Sequence, residues 1–170
     1  MKYLLILLGA IVLLIAIVLI TGLLLPKNHI ATRSLSLRQS PQTVYDLIAG
    51  APTWRPSIHT YEPVGSINGR PTWREIDQHN SAISFEEEEA TPPTRRVTRI
   101  ADKNLPFGGT WTYEIQPTSS GSTLRITEHG EVYNPIFRFV SRFIMGHTAT
   151  IDQYLKDVAA HFNEPANLQN

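Results

Sequence analysis

Residues 127–135 read TEHGEVYNP and place Glu128, His129 and Glu131 within four positions, with Gly130 between them. Two carboxylates and an imidazole so spaced suit metal ligation or paired acid/base chemistry, or neither if the side chains diverge. On an extended strand alternate residues face opposite sides. Glu128 then continues the face of Leu124 and Ile126, and His129 points the other way. Gly130 suits a bend or bulge, which leaves the direction of Glu131 open. A metal site needs His129 and a glutamate on one side, so parity argues against it. What remains is one carboxylate, Glu128, among apolar neighbours. Burial there would raise its pKa, which suits proton transfer near neutral pH. An arginine or backbone groups holding Glu128 as a structural residue is the competing reading.

Other catalytic signatures are missing from the chain. It has no GxSxG, HExxH, P-loop or GxGxxG pattern, and so nothing that calls for a cofactor. The six histidines are scattered, and no two share ligand spacing on one helix. With no cysteine there is no disulfide, thiolate metal site or cysteine nucleophile. Lys+Arg and Asp+Glu both number 15, and this balance does not point to nucleic acid.

The elements that must position Glu128 follow from periodicity. Residues 30–38 alternate as a strand. Ser40-Pro41 opens a helix, with serine capping free N–H groups and proline lacking one; Gly50 stops it. Residues 51–58 are broken by two prolines around Trp54. From residue 60 to 131 runs of period two alternate with turn signals, a meander with strands near 61–66, 70–78, 82–89, 95–101, 110–116 and 123–131. With 30–38 this makes seven strands. Asn134-Pro135 then opens one long helix ending at His161-Phe162, with Phe137, Val140, Ile144, Ile151, Leu155 and Val158 at spacings of three and four, Thr148 near the seam, and Gly146 in the middle. A twisted antiparallel sheet whose apolar face is covered by one helix tends to enclose a space.

This order resembles the SRPBCC superfamily, the helix-grip fold of START lipid-transfer domains and of polyketide cyclase/dehydrase-like proteins. The likeness spans residues 30–162 and rests on SPQTVYDLIAGAPTWRPSI, on TPPTRRVTRI followed by LPFGGTWTYEI, and on STLRITEHGEVYNPIFRFVSRF. It implies an α+β fold, a curved seven-stranded antiparallel sheet around a long C-terminal helix, with a cavity for a hydrophobic molecule. Some branches of the superfamily catalyse reactions. Others are protein-interaction modules.

Parity then nominates the cavity lining. Trp73 shares a face with Glu75 and Asp77, Phe85 with Ile83, Trp111 with Tyr113 and Ile115, and Glu128 with Ile126. Trp54, Ile144 and Thr148 join this candidate set from the proline-broken loop and the long helix. Ordinary core packing of the same aromatics is the alternative. The run Glu86–Glu89 points to alternate sides, and Arg95, Arg96 and Arg99 would face it across the Pro92-Pro93 turn. That reads as a solvated, salt-bridged hairpin whose pairs contribute ~0.2–1 kcal/mol each.

Residues 3–25 are apolar and uncharged. As a helix they reach ~34 Å, enough for a ~30 Å hydrocarbon core. The run is too long for a signal peptide and lacks a small-x-small cleavage site. The organisation expected is a single-pass anchor at 1–26, a linker at 27–29, the domain at 30–163 and a flexible tail at 164–170. Flanking charges leave the membrane side undetermined. Phe139 and Phe143, beside Arg138 and Arg142, suit either a wide buried helix face or contact with the bilayer. The reading favoured is a membrane-anchored binder of a hydrophobic small molecule or lipid. A cyclase/dehydrase- or hydrolase-type enzyme using Glu128, and a protein-interaction module with no specified partner, are the alternatives.

Overall fold

The computed structural model describes residues 2–67 and 69–170, so the centre of the expected Ile67-Asn68-Gly69 turn lies outside the described residues. Helix α1 (Lys2–Leu24) is long and apolar enough to cross a membrane and is almost wholly exposed. Strand β1 (Asn28–Leu37) begins within the expected linker and is followed by α2 (Pro41–Ala49). The Ser40 hydroxyl accepts from the Thr43 backbone N–H at 3.2 Å, the cap that the sequence predicts.

The meander comprises β2 (Ile58–Ile67), β3 (Arg70–Asp77), β4 (Ala82–Thr91), β5 (Arg95–Ile100), β6 (Phe107–Thr118) and β7 (Gly121–Val132). The sheet is antiparallel in the order β2-β3-β4-β5-β6-β7-β1-β8. Its eighth strand, β8 (Leu168–Gln169), is a two-residue piece of the tail paired with β1. The tail therefore folds back. Glu164 contributes to this by accepting the Arg38 backbone N–H at 2.9 Å and the Gln39 side-chain amide at 3.1 Å.

Two local expectations change. β7 runs past Gly130 with no register shift, so the glycine marks no bulge. The long C-terminal helix is broken: α3 (Pro135–Val140) passes into a π-helical turn (Ser141–Met145), the chain turns at Gly146, and α4 (Ala149–His161) begins afresh. Gly146 has φ 78° and ψ 147°, a conformation that side chains with a Cβ rarely adopt.

The core sits over one half of the sheet. Leu35, Val44, Ile48, Ile115, Leu124, Ile126, Ile151, Leu155 and Val158 form it, drawn from β1, α2, β6, β7 and α4. Among the described residues none of this cluster comes from β2, β3, β4 or β5. The concave face of those strands is left to line a cavity.

Candidate functional site

The cavity has a volume of about 540 Å³, within the size range of small-molecule sites. The chain's three tryptophans, Trp54, Trp73 and Trp111, all line it. β3 and β4 supply a stacked pair, Trp73 and Phe85, whose ring centres lie 5.8 Å apart. Tyr154 of α4 packs edge-on against Trp54 and Trp111 and tilted against Tyr113.

Polar groups are set into this aromatic wall. Arg55 donates to Glu75 at 2.7 Å, and the Trp73 indole donates to the other oxygen of the same carboxylate at 3.1 Å. Arg96 lies 4.9 Å over the Trp73 ring and donates to Glu87 at 2.8 Å and to the Ile48 carbonyl. Arg55 lies 5.1 Å from the Tyr154 ring. Burial pushes the Tyr113 and Tyr154 hydroxyls up, Tyr154 well above the ordinary value, so both stay protonated as donors. Both guanidinium groups have carboxylate partners within the fold, so this end of the cavity presents hydrogen-bonding groups without free positive charge.

A second polar group sits near the break in the C-terminal helix. Glu128 turns inward beneath the Trp111 indole, and burial pushes its carboxyl up while the indole hydrogen bond acts the other way. His29 Nε2 is 3.9 Å from Glu128 Oε1. The distance fits an ion pair, but burial and then His147 push His29 down. At this long separation, and with burial opposing charge on both groups, the contact is a weak polar one. His29 stacks on His147 with ring centres 4.1 Å apart, and Ser141 Oγ lies 3.0 Å from His147 Nδ1. Gly130 makes room for the His29 ring: a Cβ there would fall 2.2 Å from His29 Cε1.

Of the nine residues nominated from sequence, Trp54, Trp73, Phe85, Trp111, Tyr113 and Glu128 line this one cavity. Three do not. Ile126 is fully buried in the core. Ile144 is 70% exposed and points outward, because the helix break rotates it away from the sheet. Thr148 is engaged with Arg33 and Asp152 outside the cavity. His129 is exposed, whereas Glu131 also lines the cavity, its carboxylate accepting the Tyr133 hydroxyl at 2.6 Å, so the imidazole parts from the two carboxylates of the opening motif.

Sequence reasoning missed Arg96, Arg55, Tyr154, His29 and His147. Two of these had a signal. Arg96 pairs with inward-facing Tyr113 across β5 and β6, and so shares its face. Tyr154 is three residues after Ile151 on the same helical stripe. His29 fell in the presumed linker, and His147 beyond an unforeseen helix break. The acidic run pairs with arginines as expected: Arg95–Glu89, Arg96–Glu87, Arg99–Glu88, and Arg70 with Glu86 and Glu88. The Arg96 pair differs in lying inside the domain, with Arg96 only 8% exposed.

Solved structures with this fold are numerous. A START superfamily protein from Mycobacterium smegmatis superposes with TM-score 0.62 at 16% identity, covering 79% of this chain and 97% of that one. Norcoclaurine synthase from Thalictrum flavum gives 0.60 at 10% identity, covering 81% and 88%. The di-domain ARO/CYC StfQ from the steffimycin biosynthetic pathway gives 0.60 at 14%, covering 79% of this chain and 50% of that larger one. At these identities the likeness is one of fold. A sequence search of curated proteins found no match. Residues 29–162, which carry the sheet, the cavity and the C-terminal helices, match the family model described as polyketide cyclase / dehydrase and lipid transport, and the chain belongs to that family within the SRPBCC superfamily.

Proposed function

We propose that this protein holds an uncharged, largely hydrophobic molecule bearing one or more oxygen acceptors in its cavity, while α1 anchors it to a membrane. One observation carries the reading: an aromatic cavity of about 540 Å³ whose arginines are already paired and whose phenols are kept protonated. Hydroxyl donors and apolar rings suit a carbonyl, hydroxyl or ether on a hydrophobic body. A free carboxylate or phosphate would meet Glu75 and Glu87, which compete for the same guanidinium groups. The family description includes lipid transport, which accords with such a ligand.

All three tryptophans line the cavity, so intrinsic fluorescence reports occupancy without a label. Protein purified in a mild detergent, extracted and examined by mass spectrometry, is expected to release a neutral lipid. Adding that lipid back is expected to shift or quench the fluorescence, and a fatty acid to do so more weakly. A protein that carries nothing and responds to no neutral lipid rules the reading out.

A second reading, proton-transfer catalysis by Glu128, is favoured by one observation: a buried carboxyl with a raised pKa facing the cavity beside neutral His29. Two of the similar folds, norcoclaurine synthase and ARO/CYC StfQ, carry enzymatic names. Glu128→Gln separates the readings. Catalysis requires that the wild-type protein transform the bound molecule and that the variant lose this turnover with binding intact, whereas for a binder both proteins hold the molecule unchanged.

A further inference from the structure

The joint between α1 and the domain is rigid. The last turn of a helix leaves carbonyls without partners, and here Arg138 supplies them. Its guanidinium donates to Gly22 O at 3.1 Å and Leu25 O at 3.3 Å, and also to Val132 O and Tyr133 O, both at 2.9 Å. Arg138 is only 7% exposed. Gly22 lies so close to α3 that a Cβ would fall 2.0 Å from the Pro135 carbonyl oxygen. The Val132 N–H donates to Lys27 O at 2.8 Å, which fixes the short connection as well. One side chain thus bonds the end of α1, the end of β7 and the start of α3 together.

The segment after Pro135 is unusual for a surface facing water. Ile136, Phe137, Phe143, Ile144 and Met145 are all exposed. Five large apolar side chains within ten residues, next to the end of an apolar helix, form a patch that water does not favour. Arg142 in the same turn and Lys27 after α1 provide the positive charge that suits lipid headgroups. The segment has another side. Phe137, Val140, Ser141, Met145 and His147 line the cavity. Phe137 and Met145 are both exposed and cavity-lining, so they stand on its rim.

We propose that α3 and the π-helical turn, residues 135–145, form a lip of the cavity embedded in the bilayer interface, and that Arg138 locks this lip to α1 so that ligand passes between bilayer and cavity at this rim. The proposal rests on the reading of α1 as membrane-spanning. Its occupant is lipid rather than a protein partner because the patch is continuous with α1 through bonded contacts, and α1 is itself exposed and apolar along its length.

The chain has no cysteine, so single labels are clean. Full-length protein carrying a nitroxide at Ile144→Cys, or at Val64→Cys on β2 as the water-facing control, is reconstituted in phosphatidylcholine vesicles doped with phosphatidylglycerol. Collisions with oxygen and with a water-soluble nickel chelate are then compared. The label at 144 is expected to favour oxygen several-fold over the chelate, and the label at 64 to show the reverse. Free access of the chelate to 144 overturns the proposal, and so does low access of both reagents, which marks a protein contact. Alkaline carbonate tests the anchor separately. Protein stripped from the vesicles by carbonate defeats the membrane reading and the lip with it, whereas a retained protein with a wet label defeats the lip alone. Gly22→Leu tests the lock, since it leaves the domain's own hydrogen bonds in place. The protection at 144 is expected to fall while carbonate resistance stays, and unchanged protection overturns the role given to the joint.

Discussion

Arg96→Met puts a number on the difference between the hairpin as the sequence presents it and as it folds. Were Arg96 one partner of a solvated pair, its loss would remove ~0.2–1 kcal/mol. In the structure its side chain is 10% exposed and that of Glu87 20%, with 2.8 Å between them. Three contributions are lost together. Glu87 is left partly buried without its cation, for which removal of one partner of a fully buried pair costs about 3–5 kcal/mol. The residual exposure of Glu87 brings that figure down. The stacking on Trp73 at 4.9 Å contributes ~0.5–2 kcal/mol. The hydrogen bond to the Ile48 carbonyl, which ties β5 to α2, has a charged donor and adds ~1.5–3 kcal/mol in isolation. Methionine recovers some packing, and the terms overlap, so the expected loss is about 3 kcal/mol.

For a domain of this size one kcal/mol moves the melting temperature by roughly 4 °C, so the full chain in non-ionic detergent should melt about 12 °C lower. Near-UV circular dichroism follows the transition through the tryptophans around the cavity. Glu87→Gln and the double variant complete a cycle, and a coupling of at least ~1.5 kcal/mol is expected, in the range for contacting residues. A loss below ~1 kcal/mol, or additive single effects, would refute the reasoning and return Arg96 to the solvent-exposed class.

Glu128→Gln should change the pH dependence of stability. A carboxyl whose folded pKa lies above its unfolded value of about 4.3 gives stability that is present below that value and lost as pH rises through the folded pKa. The glutamine variant should lack this decline and gain on wild type towards neutral pH, and superimposable melting profiles between about pH 4 and 8 would remove burial as the cause. Gly130→Ala places a methyl group 2.2 Å from the His29 ring, which must leave its stack on His147. A cost of ~1–3 kcal/mol is expected, with altered imidazole proton shifts for both histidines, and an unchanged His147 signal would contradict the stacking.

Much of the fold was legible because its signals are local. The apolar run gives α1, the Ser40-Pro41 cap gives α2, and period two between turn residues gives the meander. Six of nine nominated residues line the cavity because strand parity is a local property as well. Failures came where tertiary contacts override local pattern. Gly130 looked like a bulge because its reason lies in His29, 101 positions away in the chain. Arg138 was legible only as a cation beside Phe139 on a helix face of open destination, because its acceptors, Gly22 and Leu25, belong to a segment the sequence presents as a separate anchor. The tail looked frayed because β8 is two residues long, too short for any periodicity.

The helix break has the widest consequences. The apolar stripe continues across it from Phe137 to Val158, so periodicity predicts one helix and puts Ile144 against the sheet. Instead, Gly146 takes a backbone conformation open to little else, and α4 restarts with 13 residues, ~20 Å of helix, covering β1, β6 and β7. Phe143, Ile144 and Met145, in the turn that follows α3, are left exposed, with Met145 on the cavity rim. A stripe apolar enough to be buried yet left outside the core needs another apolar environment, and the bilayer proposed around α1 is the one that the lip of the cavity would share.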